Sequence, residues 1–500
     1  MNRLEQEICE IVAALVRTAN TQLPNSVLRA ISAAKQQEDT HLARFVLGVL
    51  EENAEIAART GLPICQDTGI DVFFIEMGRN LPIEQSIHSL LNMAVAKATK
   101  EGRLRASVCD PLTRLNTRDN TPAIVHVTPV AQEGYLSISV LPKGCGSENM
   151  SAVCMLPPSA GIEGVIHQVC QQVQKAGPNP CPPGIIGIGI GGDLEQAAIL
   201  AKKALLRPVG QLNARPDVAE LEGRLLQAIN QLGIGPQGLG GRTTTLHVAV
   251  EVFPCHIASL PVAINIQCHA ARTQRAVWQN GVWTSSFPQC QAEAAQTATP
   301  GPDVKGVCPR AEGHSGMATQ GLAFSRVSLP LSPDVIQGMR SGDLLLLSGP
   351  LYTGRDQTHK RLVELLNRGE ALPIDLKGQL IYYVGPSPAP PGLAIGSAGP
   401  TTSYRMDAYT PRLLELGLAA TMGKGRRSLQ VREAMKAHKA VYLATIGGAG
   451  AYISRCIRSC EVIAFPELGT EALYRMEVQD LPAIVINDIT GADFYDNVCK

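Results

Sequence analysis

The regular patterning of the sequence breaks off once, between residues 286 and 325, and this break leaves few folds open to the chain. The stretch QAEAAQTATPGPDVKGVCPRAEGHSGMATQG within it is rich in Ala, Gly, Thr and Pro and has no sustained period, which is typical of a linker. A chain of 500 residues also exceeds what one hydrophobic core usually supports. The sequence therefore predicts two domains, at residues 1–285 and 326–500, joined by a linker at 286–325.

The two predicted domains differ in the order of their elements. Residues 1–60 have the apolar period of helices, and residues 62–195 alternate β-branched strands with Gly and Pro. Two helical stretches, near 194–206 and 217–232, precede a block of strands that contains HVAVEVF and PVAINIQCHAAR. After the linker, strands and helices alternate, which is typical of layered α/β domains. The predicted fold class is therefore α+β and α/β: a mixed N-terminal domain followed by a smaller layered α/β domain.

Charge and hydropathy argue against several kinds of partner. The 44 basic and 44 acidic residues balance to a net charge of zero, without a long basic block, so we expect neither nucleic acid nor a membrane surface as a partner. No run of about 18 apolar residues is present to span a bilayer. The first residues include Glu5, Glu7 and Glu10, unlike a secretory signal or a transit peptide. We expect a soluble, cytoplasmic protein.

Three of the 14 cysteines stand apart because each lies in a loop beside Pro, Gly or polar residues. They are Cys65 in GLPICQDTG, Cys181 in PNPCPPG and Cys268 in INIQCHAAR. Without a C-x-x-C pair or a secretory signal, thiols for metal or redox chemistry are favoured over disulfides. Each cysteine alone is equally well explained as a buried structural thiol. Together, three thiolates would leave one iron of a cubane cluster without a protein ligand, which is the open position that Lewis-acid catalysis needs.

Longer motifs surround these cysteines and extend along the chain: PxCQDTG, LR…NT…NTP, KGxGSENMS, CPPGIIGIGIGG, CHIASLPVAINIQCHAAR, TGRDxxHKR, GSAGPTTSxRMDAY and MGKG. In these motifs and in the spacing of the three cysteines, the chain resembles class I fumarate hydratases and the related L-tartrate dehydratases, over nearly its whole length apart from the linker. The resemblance implies a 4Fe–4S cluster on Cys65, Cys181 and Cys268, and the reversible hydration of fumarate to (S)-malate. It also implies a homodimer in which each chain fuses the alpha and beta parts that are separate polypeptides in some relatives.

The resemblance further implies roles for the polar residues of these motifs. Substrate contacts are implied for Gln66, Arg105, Gly146, Arg355, Arg405 and Lys424. Such a set suits a small dicarboxylate, because a guanidinium can bind a carboxylate with two hydrogen bonds. Catalytic roles are implied for Asp67, for His256, and for Thr401 as the base or proton relay that acts on a carbon-bound proton. Because these residues come from both predicted domains, we expect the pocket at the domain interface, gated by closure of the two halves.

Two features of these motifs call for a separate interpretation. The run Gly187, Gly189, Gly191 and Gly192 indicates close approach of the backbone to the ligand or the cluster, since its spacing does not fit a phosphate-binding loop. Cys145 stands where glycine is usual in the family that the chain resembles. It either points away from the site, which is the interpretation that we favour, or adds a thiol near the cluster.

Other functions remain compatible with the sequence. L-tartrate dehydration is the closest alternative and mesaconate hydration the next. The residues of the motifs GSENMS and GSAGPTTSxRMDAY are, however, more similar to those of fumarate hydratases. From a different class, a non-enzymatic iron–sulfur or zinc protein that senses iron or redox state would also use the cysteines. Such a sensor needs neither the cationic residues nor the turn around Thr401, and these features favour an enzyme.

Overall fold

The computed structural model describes residues 1–285 and 321–498, which mix helices and strands throughout. The helices are α1 Arg3–Thr21, α2 Asn25–Gln37, α3 His41–Thr60, α4 Ile87–Glu101, α5 Cys145–Glu148, α6 Gly161–Ala176, α7 Leu194–Ala204, α8 Pro216–Asn230, α9 Pro333–Gly338, α10 Asp356–Asn367, α11 Thr410–Leu414, α12 Leu429–His438, α13 Gly450–Ser454 and α14 Phe494–Val498. The strands are β1 Ile70–Arg79, β2 Ile124–Glu133, β3 Tyr135–Lys143, β4 Ala152–Leu156, β5 Gly184–Gly191, β6 Thr245–Phe253, β7 Leu260–Gln267, β8 Gln274–Gln279, β9 Val282–Ser285, β10 Phe324–Ser328, β11 Leu344–Thr353, β12 Leu380–Tyr382, β13 Ala420–Gly423, β14 Val441–Ala444, β15 Ile457–Ala464 and β16 Leu473–Asn487.

This mixture confirms the predicted fold class. The domain boundaries stay a prediction, since residues 286–320 of the predicted linker lie outside the described residues. Strand β10 begins at Phe324, next to the predicted start of the second domain at 326. Within the described ranges, no helix has the length and apolar character needed to cross a bilayer.

Helix α1 shows how the sequence fixes the N-terminal layer. The Asn2 side chain accepts a hydrogen bond from the Glu5 N–H, and the Glu5 carboxylate accepts one from the Asn2 N–H, which forms a capping box. Ile8, Val12 and Leu15 recur at helical spacing, and all three are fully buried. They pack with α4 against one face of the five-stranded sheet β2-β1-β3-β8-β9. The helical start that the sequence predicts is therefore confirmed.

A second sheet, with the strand order β4-β7-β5-β6, carries two of the three cysteine loops. Strands β5 and β7 are antiparallel neighbours, with Ile185 opposite Gln267. Cys181 precedes β5 and Cys268 follows β7. In an antiparallel pair, the start of one strand lies beside the end of the other. The start of β5 and the end of β7, and with them both cysteines, therefore lie at the same end of the sheet.

The glycines within β5 pack against a helix rather than against a ligand. A Cβ on Gly187 would overlap the carbonyl oxygen of Ala201 in α7, and a Cβ on Gly189 would overlap that of Ala197. The missing side chains let α7 lie directly on the strand. The interpretation of these two glycines as an approach to the ligand or the cluster is therefore wrong, because the helix backbone fills the space.

Replacing Gly187 by alanine is expected to destabilise the fold by about 1–3 kcal/mol, because the new methyl group would push α7 off the sheet. The measurement is the free energy of unfolding from urea titrations. Gly223 in α8 supplies the matched control, since it is exposed and a Cβ there meets nothing within 4 Å. Alanine at that position should stabilise the helix by up to about 1 kcal/mol. Equal stability of wild type and Gly187→Ala would contradict the packing role.

The C-terminal residues build one seven-stranded sheet in the order β10-β11-β12-β13-β14-β16-β15. Strands β10 to β14 run parallel and are connected by helices. Strand β16 runs antiparallel and pairs with β11, β14 and β15. Because β16 contacts both β11 and β14, strands β11 to β14 and β16 close into a ring. The carboxyl ends of the parallel strands meet at one edge of this ring.

One hydrophobic core runs through both halves of the chain. A single cluster of buried residues includes Leu50 of α3 and Ile453 of α13. At the same place the Asn53 side-chain amide donates to the carbonyl oxygens of Ile64 at 3.0 Å and of Gly448 at 3.1 Å. Opening the two halves as rigid bodies would expose this core to water. The geometry therefore does not favour the predicted closure of the halves as a gate.

Candidate active site

The three cysteines singled out in the sequence meet at one cavity. Cys65 and Cys181 are buried and Cys268 is half-buried. Cys65 follows α3, whereas the other two flank neighbouring strands, so the fold joins segments that are far apart in the sequence. Five further residues with predicted roles line the same cavity: Gln66, Asp67, Gly146, Thr401 and Lys424. The structure thus gathers predicted site residues from both halves of the chain.

Four C-terminal residues with predicted roles follow parallel strands: Thr401 and Lys424 line the cavity, whereas Arg355 and Arg405 stand outside its lining, as does Arg105 of the N-terminal half. Arg355 lies just after β11, Thr401 and Arg405 lie in the connection after β12, and Lys424 directly follows β13. These strands are neighbours in the sheet, so their carboxyl ends form one edge. The alternation of strands and helices therefore explains why residues some 70 positions apart, from Arg355 to Lys424, lie together.

Loops of the C-terminal half hold the turn that carries Cys65. The Gly450 N–H donates to the Ile64 carbonyl at 3.0 Å. On the other side of the cysteine, the Gln66 amide Nε2 donates to the Pro400 carbonyl at 3.2 Å. Gln66 is buried, so this amide must be hydrogen-bonded within the protein. The position of Cys65 therefore depends on contacts with the other half.

The turn that carries Cys181 is held in the same way. Cys181 has φ = 60°, a left-handed conformation that is uncommon outside glycine. Gln237 supports it: its Nε2 donates to the Pro182 carbonyl at 3.1 Å, and its Oε1 accepts from the Gly447 N–H at 2.9 Å. A Cβ on Gly447 would overlap the Cys181 sulfur. The glycine therefore leaves the space in which this thiol sits.

Lys424 lies against the Cys181 sulfur. Its Nζ donates to Cys181 Sγ at 2.8 Å and to the Asn179 carbonyl at 2.9 Å. Burial alone would lower the pKa of Lys424, but the neighbouring sulfur atoms, that of Cys181 first, together raise it above its ordinary value. This effect requires a Cys181 thiolate, the form that binds a metal, and beside that thiolate the charged ammonium group can offset negative charge at the sulfur and on a bound anion.

Each arginine with a predicted role in substrate binding is oriented by a carboxylate. The pairs are Arg105–Asp67 at 2.7 Å, Arg355–Glu471 at 3.3 Å and Arg405–Asp356 at 2.6 Å. Side chains held in this way are ordered before a ligand arrives, which reduces the entropy lost on binding. The pairs also keep three cations together, since each positive charge has an anion beside it.

Asp67 connects the arginines with the cysteines. Its Oδ1 accepts from Arg105, and its Oδ2 accepts from the Cys145 N–H at 3.0 Å. Although burial opposes ionisation, Arg105 and Arg272 hold the pKa of Asp67 below its usual value. Asp67 is therefore an anion beside the cavity. The Cys145 thiol is exposed and does not line the cavity, which agrees with the interpretation that it points away.

Thr401 is fixed by its own backbone. Its N–H donates to the Tyr383 carbonyl at 2.8 Å, and its carbonyl accepts from the Lys424 N–H at 3.3 Å. The residue is 8% exposed and lines the cavity. These contacts fix its backbone beside that of Lys424, and both residues line the cavity.

The structure does not bring His256 to this cavity. His256 is exposed in the turn between β6 and β7, at the opposite end of the sheet from Cys268. Strand β7, with 8 residues, lies between them, which corresponds to roughly 25 Å. Within a single chain His256 therefore does not line the pocket. Its spacing from Cys268 reflects a strand and its turn, and a catalytic role at this site is not supported.

Two buried residues at the site are absent from the sequence predictions. His269 Nδ1 lies 3.5 Å from the Cys181 carbonyl oxygen, and burial lowers its pKa to about 4, so its imidazole is neutral. Arg272 donates to the Asp67 carbonyl at 3.0 Å. Both stand in CHAAR, directly after Cys268. Their place in the motif was the available signal, but nothing in the sequence shows that Arg272 lines the cavity or that His269 lies against the Cys181 backbone.

The donor set suits a polynuclear cluster better than a single metal ion. Burial raises the pKa of Cys65 to about 12 and also raises that of Cys181, so these thiols stay protonated unless a metal replaces the proton. In the part of the chain that the structure describes, no three His, Cys, Asp or Glu side chains are arranged to hold one metal ion. A cubane takes one thiolate at each of several irons and so spreads its ligands around a cavity. The three thiols around one cavity therefore fit the ligand set of a 4Fe–4S cluster.

Comparisons with known proteins show the family of the chain. A family model described as "Fumarate hydratase (Fumerase)" matches residues 9–277, and one described as "Fumarase C-terminus" matches residues 307–498. A Geobacillus stearothermophilus protein with the provisional name of a class I fumarate hydratase is 32% identical, over 99% of this chain and 97% of its own. The aerobic class I fumarate hydratase of Escherichia coli is 31% identical, over 97% of this chain and 87% of its own. A Methanocaldococcus jannaschii protein, provisionally named as the alpha subunit of L(+)-tartrate dehydratase, is 43% identical over 53% of this chain and 95% of its own.

The fold, the site and these matches define a hydro-lyase, an enzyme that adds water to a double bond or removes it. Both family models together cover most of the chain, and relatives above 30% identity match it along nearly its full length. The chain belongs to the class I fumarate hydratase family.

Proposed function

We propose that the protein catalyses the reversible hydration of fumarate to (S)-malate with a 4Fe–4S cluster on Cys65, Cys181 and Cys268. The observation that supports this most is the shared cavity, where thiols from distant segments lie beside Lys424 and the arginine–carboxylate pairs. When bound, the cluster supplies a Lewis acid for the malate hydroxyl group at the iron that no cysteine holds. Every other part of the reaction falls to side chains of the chain itself.

Binding of the dicarboxylate falls to the cationic side chains. Arg105 and Arg355 both lie against Gly385, and Arg105 pairs with Asp67, which lines the cavity. A guanidinium matches the two oxygens of a carboxylate, so this pair suits the carboxylate that lies farther from the thiols. Lys424 lies at the thiols and suits the other end of the substrate. The substrate is thereby oriented along the cavity.

Dehydration of malate requires a base next to its methylene carbon, the atom that loses a proton. We assign this role to the Thr401 hydroxyl, which lines the cavity beside Lys424. A neutral hydroxyl is a weak base, so as the Thr401 Oγ accepts the proton from carbon, its own hydroxyl proton passes to the carboxylate of Asp67, an anion on the same cavity. The negative charge that develops on the substrate carboxylate is stabilised by the cations around it.

The proposal is tested on protein reconstituted with iron and sulfide under anaerobic conditions. We expect about four iron and four sulfide per chain, and fumarate absorbance should appear when malate is added. Malate should be turned over faster than L-tartrate or methyl-substituted acids. Sedimentation of the same sample should show the homodimer that the resemblance implies. Reconstituted protein that carries iron but turns over no dicarboxylate would contradict the proposal.

L-tartrate dehydration remains the second candidate, since the Methanocaldococcus jannaschii relative with that provisional name has the higher identity over its matched region. Tartrate carries a hydroxyl group where malate carries only hydrogens, so the pocket must accommodate one more polar group. A kcat/KM for L-tartrate above that for malate would favour this candidate. For either substrate we propose a cytoplasmic enzyme, because reducing conditions there keep the three thiols available to iron.

A further inference from the structure

Gly385 lies between Arg105, which pairs with the cavity residue Asp67, and Arg355. It stands in the connection after β12 and is buried. Its carbonyl oxygen accepts a hydrogen bond from Arg105 Nη1 at 3.2 Å. Its Cα faces Arg355: a Cβ built there would lie 2.5 Å from Arg355 Nη1 and 2.9 Å from Arg355 Cδ. One residue without a side chain therefore contacts both guanidinium groups.

The requirement for glycine here is one of space rather than of backbone conformation. Gly385 does not have a positive φ, so an alanine could adopt the same backbone conformation. The obstacle is the Arg355 side chain, together with the Thr470 carbonyl oxygen at 3.1 Å from the built Cβ. Because an arginine side chain can move and a backbone cannot, an alanine would displace Arg355 and leave the fold in place.

Arg355 has capacity for a ligand in its present position. Glu471 holds one end of its guanidinium at 3.3 Å. Its Nε is buried and has no hydrogen-bond partner among the described residues. A buried donor without a partner is costly, and a carboxylate bound beside it would remove that cost. Arg105 is held by Asp67 and by the Gly385 carbonyl, so its guanidinium stands at a fixed distance from Arg355.

We propose that Gly385 is a positioning residue, which sets the spacing between Arg105 and Arg355 and thereby the affinity for the carboxylate farther from the thiols. The inference rests on the proposed function, since it assumes a dicarboxylate substrate. It assigns Gly385 no chemical role: the residue acts by leaving room for Arg355 and by holding Arg105 through its carbonyl group.

The test compares Gly385→Ala with wild type in the reconstituted enzyme. We expect KM for malate to rise, and binding of unreactive succinate to weaken, by about 10- to 100-fold, the range of lost hydrogen bonds to a charged group. Iron and sulfide content should not change, and kcat should fall much less than KM rises. Gly338→Ala is the matched control, because a Cβ at Gly338 meets nothing within 4 Å. Unchanged succinate binding by Gly385→Ala would overturn the proposal.

A double-mutant cycle shows whether Gly385 acts through Arg355. In an Arg355→Met background, Gly385→Ala should have almost no further effect on succinate binding, because the side chain that it displaces is gone. Independent, additive losses would overturn the proposal. The outcome is separate from a failure of the proposed function: in that case wild-type holoenzyme would neither bind succinate nor turn over malate, whatever residue stands at position 385.

Discussion

Cys181→Ala is expected to abolish hydratase activity and to lower iron content to background after reconstitution. The thiol lies on the cavity with Cys65 and Cys268, 2.8 Å from Lys424 Nζ. A cubane held by three cysteines loses a whole corner when one thiolate is removed. Of the two remaining cysteines, Cys65 is buried, and burial raises its pKa to about 12, so this thiol stays protonated without metal. Iron and sulfide analysis, visible absorbance and malate turnover measure the loss.

The fold of Cys181→Ala should survive, which separates loss of a ligand from loss of structure. Alanine keeps the Cβ and takes the φ of 60° at a similar cost, so the turn that Gln237 supports can persist. Unfolding of apo protein followed by circular dichroism checks this. Cys170→Ala is the control, since Cys170 lies half-buried in α6, away from the cavity, and should leave iron content intact. A Cys181→Ala protein with normal iron and turnover would remove this cysteine from the ligand set.

The C-terminal half is needed to hold the cysteines as well as to bind substrate. Gly450 and Gln66 fasten the Cys65 turn to loops of that half, and Gly447 and Lys424 do the same for Cys181. These contacts are hydrogen bonds of backbone groups and buried side chains. A buried polar group left without its partner would cost free energy of desolvation. The ligand set and the substrate residues are therefore parts of one polar network.

The sequence predicts correctly that a residue lines the cavity when its motif fixes the local backbone turn on which the residue stands. Cys65, Cys181, Cys268 and Lys424 were located in this way, because Pro and Gly around them set the local backbone. His256 was not, because its distance from Cys268 along the chain spans a strand, and strand direction decides where it points. Sequence spacing alone carries no such direction.

Contacts between distant segments were beyond sequence reasoning for a different reason. A run of glycines such as that in β5 looks the same in the sequence whether a ligand or a helix packs against it. Only the position of α7 in the structure shows that a helix does. Glu471 and Gly385 stand in no conspicuous motif, yet they position Arg355 from segments 116 and 30 residues away along the chain. Such partners are set by the closure of the C-terminal strands into a ring, which no local pattern in the sequence records.

Thr401→Val is expected to lower kcat by at least about a hundredfold, the range of general acid–base catalysis. Valine keeps the branched shape of threonine and removes only the hydroxyl group. The backbone contacts with Tyr383 and Lys424 do not involve that group and should persist. KM for malate and the iron and sulfide content should therefore stay close to those of wild type. Steady-state turnover of malate and fumarate, with absorbance of the cluster, measures these quantities.

Two comparisons separate loss of the base from loss of packing at Thr401. Thr401→Ser restores a hydroxyl group and should recover much of the turnover, whereas a residue needed only for packing would gain nothing from serine. Thr284→Val, on the exposed strand β9, is the matched control and should behave as wild type. Because the hydroxyl acts only on the proton in transit, its loss should appear in kcat and in kcat/KM to the same extent. Wild-type turnover by Thr401→Val would leave Asp67 as the remaining anion on the cavity to act as the base.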